Sequence, residues 1–197
     1  MNRFRLRVPD DCHVHFRQGA MLQQVVPHTA AQFGRALVMP NTTPPIATAE
    51  DVRRYRAEIR AVAASHFEPL LTIKLLETTT PEVIRAARSE GVVAAKLYPR
   101  GVTTNAEDGV PMADFPGRLA DTLGAMEETG MVLSIHGEMP GFCSLEREHA
   151  FLPVLGELEL QYPRLKIVLE HVSTHLGVGV VQTAGENVAA TITVHHL

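Results

Sequence analysis

Apolar runs recur along the chain at a spacing that predicts parallel β-strands. Seven of them predict strands at 11–16, 35–40, 69–75, 92–97, 131–136, 166–171 and 188–194. Most of the intervening segments carry apolar residues at helical spacing, as at 50–64, 81–90 and 112–129. Because continuous apolar strands alternate with amphipathic helices, the pattern predicts a parallel sheet with helices covering its faces.

Such a sheet can be doubly wound or closed into a TIM-type (β/α)8 barrel, and two features favour the barrel. The first strand-to-helix turn lacks a GxGxxG phosphate loop, and several predicted strands end in polar or histidine residues, where a barrel gathers its active site. No linker rich in proline, glycine or serine divides the chain, so we predict one domain over 1–197. A (β/α)8 barrel typically needs about 250 residues. We therefore expect an incomplete α/β barrel with about seven of its eight strands, in a fragment that stops after the seventh.

The composition indicates a globular protein and argues against several classes. Hydrophobic residues make up 45% of the 197, which is enough for a core. A net charge of -4 without a basic cluster argues against nucleic acid as a partner. Cys12 and Cys143 are too few for a disulfide framework, and no signal peptide or membrane-spanning run can be recognised. The sequence therefore predicts a cytoplasmic protein with no membrane partner.

The segment at 11–17, DCHVHFR, carries the clearest chemical signal. Side chains on a strand alternate faces, so His13 and His15 point the same way and can share one metal ion. Alone, this HxH motif is more typical of two half-buried histidines. Its weight comes from the residues that follow.

Three further residues at predicted strand ends extend this pair. Lys96 lies in the apolar run 92–97, where burial would lower its pKa and let its amine, beside divalent metals, add carbon dioxide to form a bridging carbamate. His136 and His171 each end an apolar run. Each residue alone has an ordinary explanation, such as a lysine that reaches water or a histidine in the core. Together, four histidines and a lysine at converging strand ends predict a metal centre, for which zinc is favoured over manganese, cobalt or iron.

Polar residues near the same strand ends indicate a small anionic substrate. Two metal ions about 3.5–4 Å apart activate water and polarise a carbonyl group, so we expect hydrolytic attack on an amide. Arg17, two residues beyond His15, is predicted to keep the same strand face and could hold a carboxylate. Asn41 offers a donor and an acceptor, although a role in a turn explains Asn41 as well. Thr103 and Thr104 lie in a glycine-flanked loop that could be a mobile lid or a plain surface turn.

The remaining histidines divide into two groups. Three lie in helix or loop contexts and are interpreted as surface residues: His28, His66 and His149. Three others follow predicted strands late in the sequence and could reach the barrel mouth: His175, His195 and His196. The roles of this second group stay open.

Five motifs resemble those of dihydroorotases of the shorter bacterial type, within the amidohydrolase superfamily. They are DDCHVHFR at 10–17, RALVMPNTTPP at 35–45, AAKLYPRGVTTN at 94–105, HGE at 136–138 and EHVST at 170–174. The resemblance covers about residues 10–197 and implies a (β/α)8 barrel with two zinc ions and a bridging hydroxide. It also implies reversible cyclisation of N-carbamoyl-L-aspartate to L-dihydroorotate in pyrimidine biosynthesis.

By this resemblance, five residues form the metal site and four contact the substrate or close over it. The metal ligands would be His13 and His15 for the more buried zinc, His136 and His171 for the second, and Lys96 as the bridging carbamate. The residues near the substrate would be Arg17, Asn41, Thr103 and Thr104.

Members of this family continue into an eighth strand, whose aspartate is implied to bind the buried zinc and to act as general base. No counterpart follows the seventh predicted strand, and losing such a proton shuttle typically costs roughly 10²–10⁴-fold in rate. We therefore expect impaired activity from this chain. Two alternatives stay open: a hydantoinase-like or allantoinase-like cyclic amidohydrolase, and a non-catalytic barrel homologue that acts as a scaffold. The family further suggests a homodimer.

Overall fold

Seven parallel strands form one sheet in the computed structural model, which describes residues 5–196 apart from the side chain of His195. The strands are β1 (Asp10–Val14), β2 (Arg35–Val38), β3 (Glu68–Lys74), β4 (Ala94–Leu97), β5 (Val132–His136), β6 (Ile167–Glu170) and β7 (Val188–Ala190). Each strand pairs with its neighbours in chain order, from β1 at one edge to β7 at the other. These are seven of the eight strands of a (β/α)8 barrel, which confirms the predicted fold class.

One helix follows each of the first six strands. The helices are α1 (Gly19–Gln32), α2 (Ala49–Arg60), α3 (Pro81–Ser89), α4 (Ala120–Thr129), α5 (Arg147–Gln161) and α6 (His175–Thr183). A helix in every crossover lets consecutive strands run parallel and covers the sheet with apolar side chains. Within residues 5–196, no helix has both the length and the apolar character needed to cross a membrane.

The second helix shows how local sequence specifies an element. The Thr48 hydroxyl accepts a hydrogen bond from the Asp51 N–H at 3.2 Å, and Asp51 Oδ2 accepts one from the Thr48 N–H at 3.0 Å. This reciprocal cap satisfies two backbone donors at the start of the helix. Val52, Tyr55 and Ile59 then recur at helical spacing and are all buried. Their stripe faces the sheet, where α2 contacts β3.

Polar side chains lie fully enclosed at the carboxyl ends of the central strands. Lys74, Lys96 and Ser134 lie side by side in register on β3, β4 and β5, and each is at most 1% exposed. Glu170 at the end of β6 is buried as well. Burying polar groups is costly unless they have partners, so such a layer needs a specific reason. Active sites of barrels lie at the carboxyl ends of the strands, so we expect the chemistry at this end.

The helix predicted at 112–129 is shorter than its apolar pattern indicated. It begins at Ala120, after a 3-10 turn at Gly117–Leu119. Pro116 accounts for the difference, because proline disfavours helical backbone in the residue before it and has no N–H to donate. The residues at 112–116 therefore belong to the long connection between β4 and β5.

The first and last strands are also shorter than predicted. β1 ends at Val14 instead of residue 16, and the backbone then turns at Arg17, whose φ is 60°. β7 covers only the start of the predicted strand 188–194, and Val194–His196 form a 3-10 turn. Because both strands end early, residues that follow them, such as Arg17 and His196, lie over the carboxyl end of the sheet and line a cavity there.

Candidate metal centre

A cavity of about 410 Å³ lies at the carboxyl ends of the strands. Four of the predicted metal ligands line it: His13, His15, His136 and His171. All four predicted substrate contacts line it as well: Arg17, Asn41, Thr103 and Thr104. The fifth predicted ligand, Lys96, is fully buried in the adjoining strand β4. The structure thus brings the predicted residues together, while their roles stay predictions.

His13 and His15 face one another in the wall of the cavity. His13 lies in β1 and His15 directly follows it, and their Nε2 atoms are 3.2 Å apart. Each ring is held from its other side: His13 Nδ1 lies 3.0 Å from Glu170 Oε2, and His15 Nδ1 lies 2.7 Å from Asn41 Oδ1. Because both partners are acceptor oxygens, each Nδ1 donates a proton and each Nε2 keeps its lone pair.

The two facing lone pairs repel one another unless a proton or a cation lies between them. Two nitrogens bound at about 2.0–2.1 Å to one zinc ion, at a tetrahedral angle, lie about 3.3 Å apart. The separation of 3.2 Å between His13 Nε2 and His15 Nε2 fits that value. This pair is therefore suited to hold a cation.

Burial keeps two of the histidines neutral. It lowers the pKa of His15 to about 4, and the charges of His13 and Arg17 add to the effect. It lowers the pKa of His171 to about 2, with further contributions from the charges of Lys96 and His136. Because a neutral imidazole is the form that binds a metal ion, both rings are ready to act as ligands at neutral pH.

His136 and His171 form a second pair, with ring centroids 4.6 Å apart. His136 ends β5, and its Nε2 lies 3.1 Å from Glu138 Oε1, which leaves Nδ1 for another partner. His171 follows β6 with a φ of 44°, and its backbone N–H donates to Thr191 Oγ1 at 2.8 Å. The ring of His13 lies 5.3 Å from that of His171, so the two pairs form one cluster.

Lys96 is enclosed beside the histidines, and its Nζ has no hydrogen-bond partner among residues 5–196. Burial lowers the pKa of this amine to about 7, against a smaller opposing effect of the Glu170 charge. The Nζ atom lies 5.4 Å from the centroid of the Tyr98 ring. Burying an ammonium ion without a hydrogen-bond partner is unfavourable. Burying the neutral amine, or a carbamate formed from it that binds a metal ion, avoids this cost.

The described residues also show which donor a metal would still need. Within residues 5–196, no three histidine, cysteine or carboxylate side chains form a ligand set for one ion. Zinc usually takes four ligands, so either histidine pair alone leaves its shell incomplete. A carbamate formed on the unpartnered Lys96 Nζ would offer oxygen atoms to both pairs. The residues present therefore fit a metal centre in which Lys96 takes part.

Glu170 is a site residue that the sequence analysis missed. Its carboxylate accepts hydrogen bonds from His13 Nδ1 at 3.0 Å, Ser134 Oγ at 2.6 Å and Thr191 Oγ1 at 2.6 Å. Burial alone would raise the pKa of this carboxyl, but the hydrogen bond from His13 and the charge of Lys96 lower it to about 2. In the sequence, Glu170 could have been recognised as the one acidic residue in the otherwise apolar strand β6.

Arg17 lines the cavity, but it does not share a strand face with His15 as predicted. Its left-handed backbone, with φ 60°, lies beyond the end of β1, so strand alternation does not apply to it. Its Nη1 donates to the Asn41 carbonyl at 3.4 Å, and its own carbonyl accepts a bond from the Tyr55 hydroxyl at 2.7 Å. The guanidinium therefore reaches the cavity from a fixed turn.

Asn41 connects His15 to the loop at 98–110, which carries Thr103 and Thr104. Its Oδ1 accepts the bond from His15 Nδ1, and its Nδ2 donates to the Thr104 carbonyl at 3.3 Å. The sequence predicted a substrate contact or a turn for Asn41. The structure adds a further role, since this amide orients a candidate metal ligand.

The other histidines lie mostly outside the cavity. Three are exposed, as predicted: His28, His66 and His149. His175 is exposed at the start of α6 and does not line the cavity, whereas His196 does, with its ring centroid 6.2 Å from that of His171. The expectation for His195 concerns a side chain outside the described part of the chain.

Known proteins similar to this chain are amidohydrolases. The sequence model of the amidohydrolase family (Amidohydro_2) matches residues 10–190. A dihydroorotase from Azoarcus sp. (strain BH72) is 47% identical over 195 residues, which cover 96% of this chain and 56% of the relative. The chain thus spans a little over half the length of the curated relatives that it matches.

Two solved dihydroorotase structures share the fold. The Campylobacter jejuni enzyme superposes with a TM-score of 0.89 at 36% identity, over 95% of this chain and 54% of that one. The Saccharomyces cerevisiae enzyme in complex with 5-fluoroorotic acid superposes with a TM-score of 0.88 at 34% identity, over 96% of this chain and 56% of that one. Because the family model matches most of its length, the chain belongs to the amidohydrolase family, in which several dihydroorotases are similar to it.

Proposed function

We propose that this site serves a dihydroorotase, which interconverts N-carbamoyl-L-aspartate and L-dihydroorotate in pyrimidine biosynthesis. The observation that carries the proposal is the pair of Nε2 atoms of His13 and His15, 3.2 Å apart with both Nδ1 atoms engaged by oxygen. Lys96, buried without a hydrogen-bond partner in the described part of the chain, supports it further. The similarity to dihydroorotases supports the substrate class.

The donor set supports two zinc ions. His13 and His15 would hold one ion, and His136 and His171 would hold the other. Lys96, as a carbamate, would contribute to both. When bound, such ions polarise an amide carbonyl and lower the pKa of water.

Groups of the chain itself would bind and orient the substrate. Arg17 places a permanent cation in the cavity wall, which suits a substrate carboxylate. Thr103 and Thr104 add polar side chains to the same lining, from the loop at 98–110. Because Glu170 accepts the proton of His13 Nδ1, it keeps the lone pair of Nε2 available. These features favour a cyclic acid over a neutral ring.

Proton transfer is assigned by the family resemblance to an aspartate of an eighth strand. Glu138 is the one carboxylate that lines the cavity within residues 5–196, and it is engaged by His136 at 3.1 Å and Arg147 at 3.5 Å. Burial would raise the pKa of Glu138, but these two partners lower it, so it holds a proton poorly at neutral pH. We therefore propose that Glu138 holds His136 and Arg147 in place and does not itself transfer the proton.

The preference for an acidic ring can be tested by calorimetry on the zinc-loaded chain. Its probes are 5-fluoroorotic acid, which the S. cerevisiae dihydroorotase structure contains, and uncharged hydantoin. We expect the acid to bind at least about tenfold more tightly, because a charge-assisted contact with Arg17 adds about 1.4 kcal/mol or more.

Arg17→Met should abolish this preference, whereas Arg85→Met on the exposed face of α3 should retain it. Tighter binding of hydantoin than of the acid would contradict the proposal and favour a hydantoinase-like enzyme. A cytoplasmic location and a homodimer stay predictions from the sequence.

A further inference from the structure

Lys74 is a second enclosed lysine, and the chemistry proposed above does not use it. It ends β3 in register with Lys96 on β4, and its side chain is 1% exposed. An ammonium ion in such a place is strongly unfavourable unless acceptors surround it. Lys74 has two such acceptors, whereas Lys96 has none among residues 5–196. The two acceptors of Lys74 belong to one loop.

That loop is the segment at 98–110, between β4 and the long connection to α4. Lys74 Nζ donates to the carbonyl oxygen of Asn105 at 2.6 Å and forms an ion pair with the carboxylate of Asp108. The same Nζ lies 5.7 Å from the ring centroid of Tyr98, where the loop leaves β4. One buried cation therefore contacts the loop at its start and in its second half.

The part of the loop between these contacts carries Thr103 and Thr104, which line the cavity. The loop closes on itself around them, since the Gly101 N–H donates to the Ala106 carbonyl at 2.8 Å. The two threonines thus form a tip whose base is fixed by Lys74.

The tip is also connected to the candidate metal ligands. The Thr104 carbonyl accepts a bond from Asn41 Nδ2 at 3.3 Å, and Asn105 Nδ2 donates to the Asn41 carbonyl at 3.0 Å. Asn41 Oδ1 in turn accepts the bond from His15 Nδ1 at 2.7 Å. The position of the tip and the orientation of His15 therefore depend on the same asparagine.

We propose that Lys74 is a positioning residue, which holds the loop at 98–110 so that Thr103 and Thr104 face the cavity. It acts through Asn105 and Asp108 and does not itself line the cavity. The effect on substrate binding rests on the proposed function. The effect on the loop does not, because it follows from the contacts of Lys74 alone.

An ion pair that only stabilised the fold would act differently. Its loss would accelerate hydrogen exchange in the sheet as much as in the loop. The amides of Gly101 and Gly109 report on the loop, because both donate to Ala106 O, at 2.8 Å and 3.0 Å. The amide of Val132 reports on the sheet, where it donates to Val93 O at 3.1 Å.

Hydrogen exchange of three variants tests the role of the pair. In Lys74→Met we expect the two loop amides to exchange about tenfold faster or more, with the Val132 amide unchanged. Asp108→Asn should do the same but leaves an enclosed cation without its counter-charge. The double variant, Lys74→Met with Asp108→Asn, removes that cation, so it should fold well and its loop amides should still exchange rapidly. Asp114→Asn, an exposed carboxylate near Arg118, is the matched control and should leave loop exchange unchanged.

A ligand titration gives the second readout. Zinc-loaded Lys74→Met should bind 5-fluoroorotic acid about tenfold more weakly, with its zinc stoichiometry unchanged. Unchanged loop exchange in Lys74→Met and in the double variant would overturn the proposal, as would equal acceleration in loop and sheet. If the unmodified chain does not bind the acid, the proposed function fails, while the exchange data still decide the role of Lys74.

Discussion

Replacing Glu170 with glutamine removes the charge that holds His13 while keeping the size of the side chain. In the structure, Glu170 Oε2 accepts bonds from His13 Nδ1 and Thr191 Oγ1, and Oε1 accepts one from Ser134 Oγ. A glutamine offers one acceptor oxygen instead of two. In its best orientation, the amide oxygen serves His13 and Thr191, and the Ser134 hydroxyl turns to accept from the amide nitrogen.

Even this orientation loses the charge on the acceptor. Hydrogen bonds to a charged group contribute about 1.5–3 kcal/mol and neutral ones about 0.5–1.5 kcal/mol, a difference of about 1 kcal/mol per bond. The free energy of unfolding of the metal-free Glu170→Gln chain should therefore fall by about 2–3 kcal/mol. Zinc affinity should fall about 10–100-fold, as is typical when the partner of a metal-binding histidine is removed.

Urea denaturation measures the first effect, and competition with a chelator measures the second. Glu127→Gln is a suitable control, because Glu127 accepts a bond from the Arg164 N–H at 2.8 Å and neither residue lines the cavity. The control should lose stability without losing zinc affinity. Zinc affinity equal to that of the unmodified chain in Glu170→Gln would refute the claim that Glu170 prepares His13 for a metal.

Two further predictions concern the scaffold. Thr48→Ala should lower the free energy of unfolding by about 1 kcal/mol near neutral pH, because it removes the cap of α2. Burial alone would raise the pKa of Asp51, but the bond from Thr48 contributes to lowering it below 3.8. The part of this stabilisation that comes from the Thr48 Oγ1–H bond to Asp51 Oδ2, at 2.7 Å, is thus present above pH 3.8 and lost in more acidic solution. A cost of Thr48→Ala that does not change with pH would contradict the reasoning. Gly109→Ala should cost about 1–3 kcal/mol in thermal or urea unfolding, since a Cβ there would lie 2.5 Å from the Tyr98 carbonyl, whereas Gly124→Ala within α4 meets nothing and should be tolerated.

The gathering of the histidines was predictable because it depends on parallel topology. His13 and His136 lie on strands, and Lys96 lies within an apolar one, so the carboxyl ends of these strands bring them to the same edge. Strand alternation and alternation of strands with helices are both visible in the sequence. Neither needs knowledge of distant contacts.

The residues beyond the strand ends could not be predicted in this way. Arg17 and His171 have left-handed backbones, with φ 60° and 44°, so alternation does not apply to them. The conformation at His171 is held by Thr191, a residue of the next strand-to-turn segment. Glu170 was missed for a related reason, because its partner His13 is at the other end of the chain.

Lys74 shows a second limit of sequence reasoning. A lysine at the end of an apolar strand usually reaches water, and local sequence does not distinguish that case from burial. Its acceptors, Asn105 and Asp108, lie in a loop that follows the next strand. The helix predicted at 112–129 begins only at Ala120, because Pro116 interrupts an otherwise periodic pattern.

In the proposed metal centre, Lys96 would complete a site built on two histidine pairs. Native mass spectrometry of the zinc-loaded chain, with bicarbonate present, should show two zinc ions and a carbon dioxide adduct of about 44 Da. Lys96→Met should lose the adduct and both ions, while Lys166→Met, at an exposed position, should keep all three. Two zinc ions retained by Lys96→Met would contradict the account.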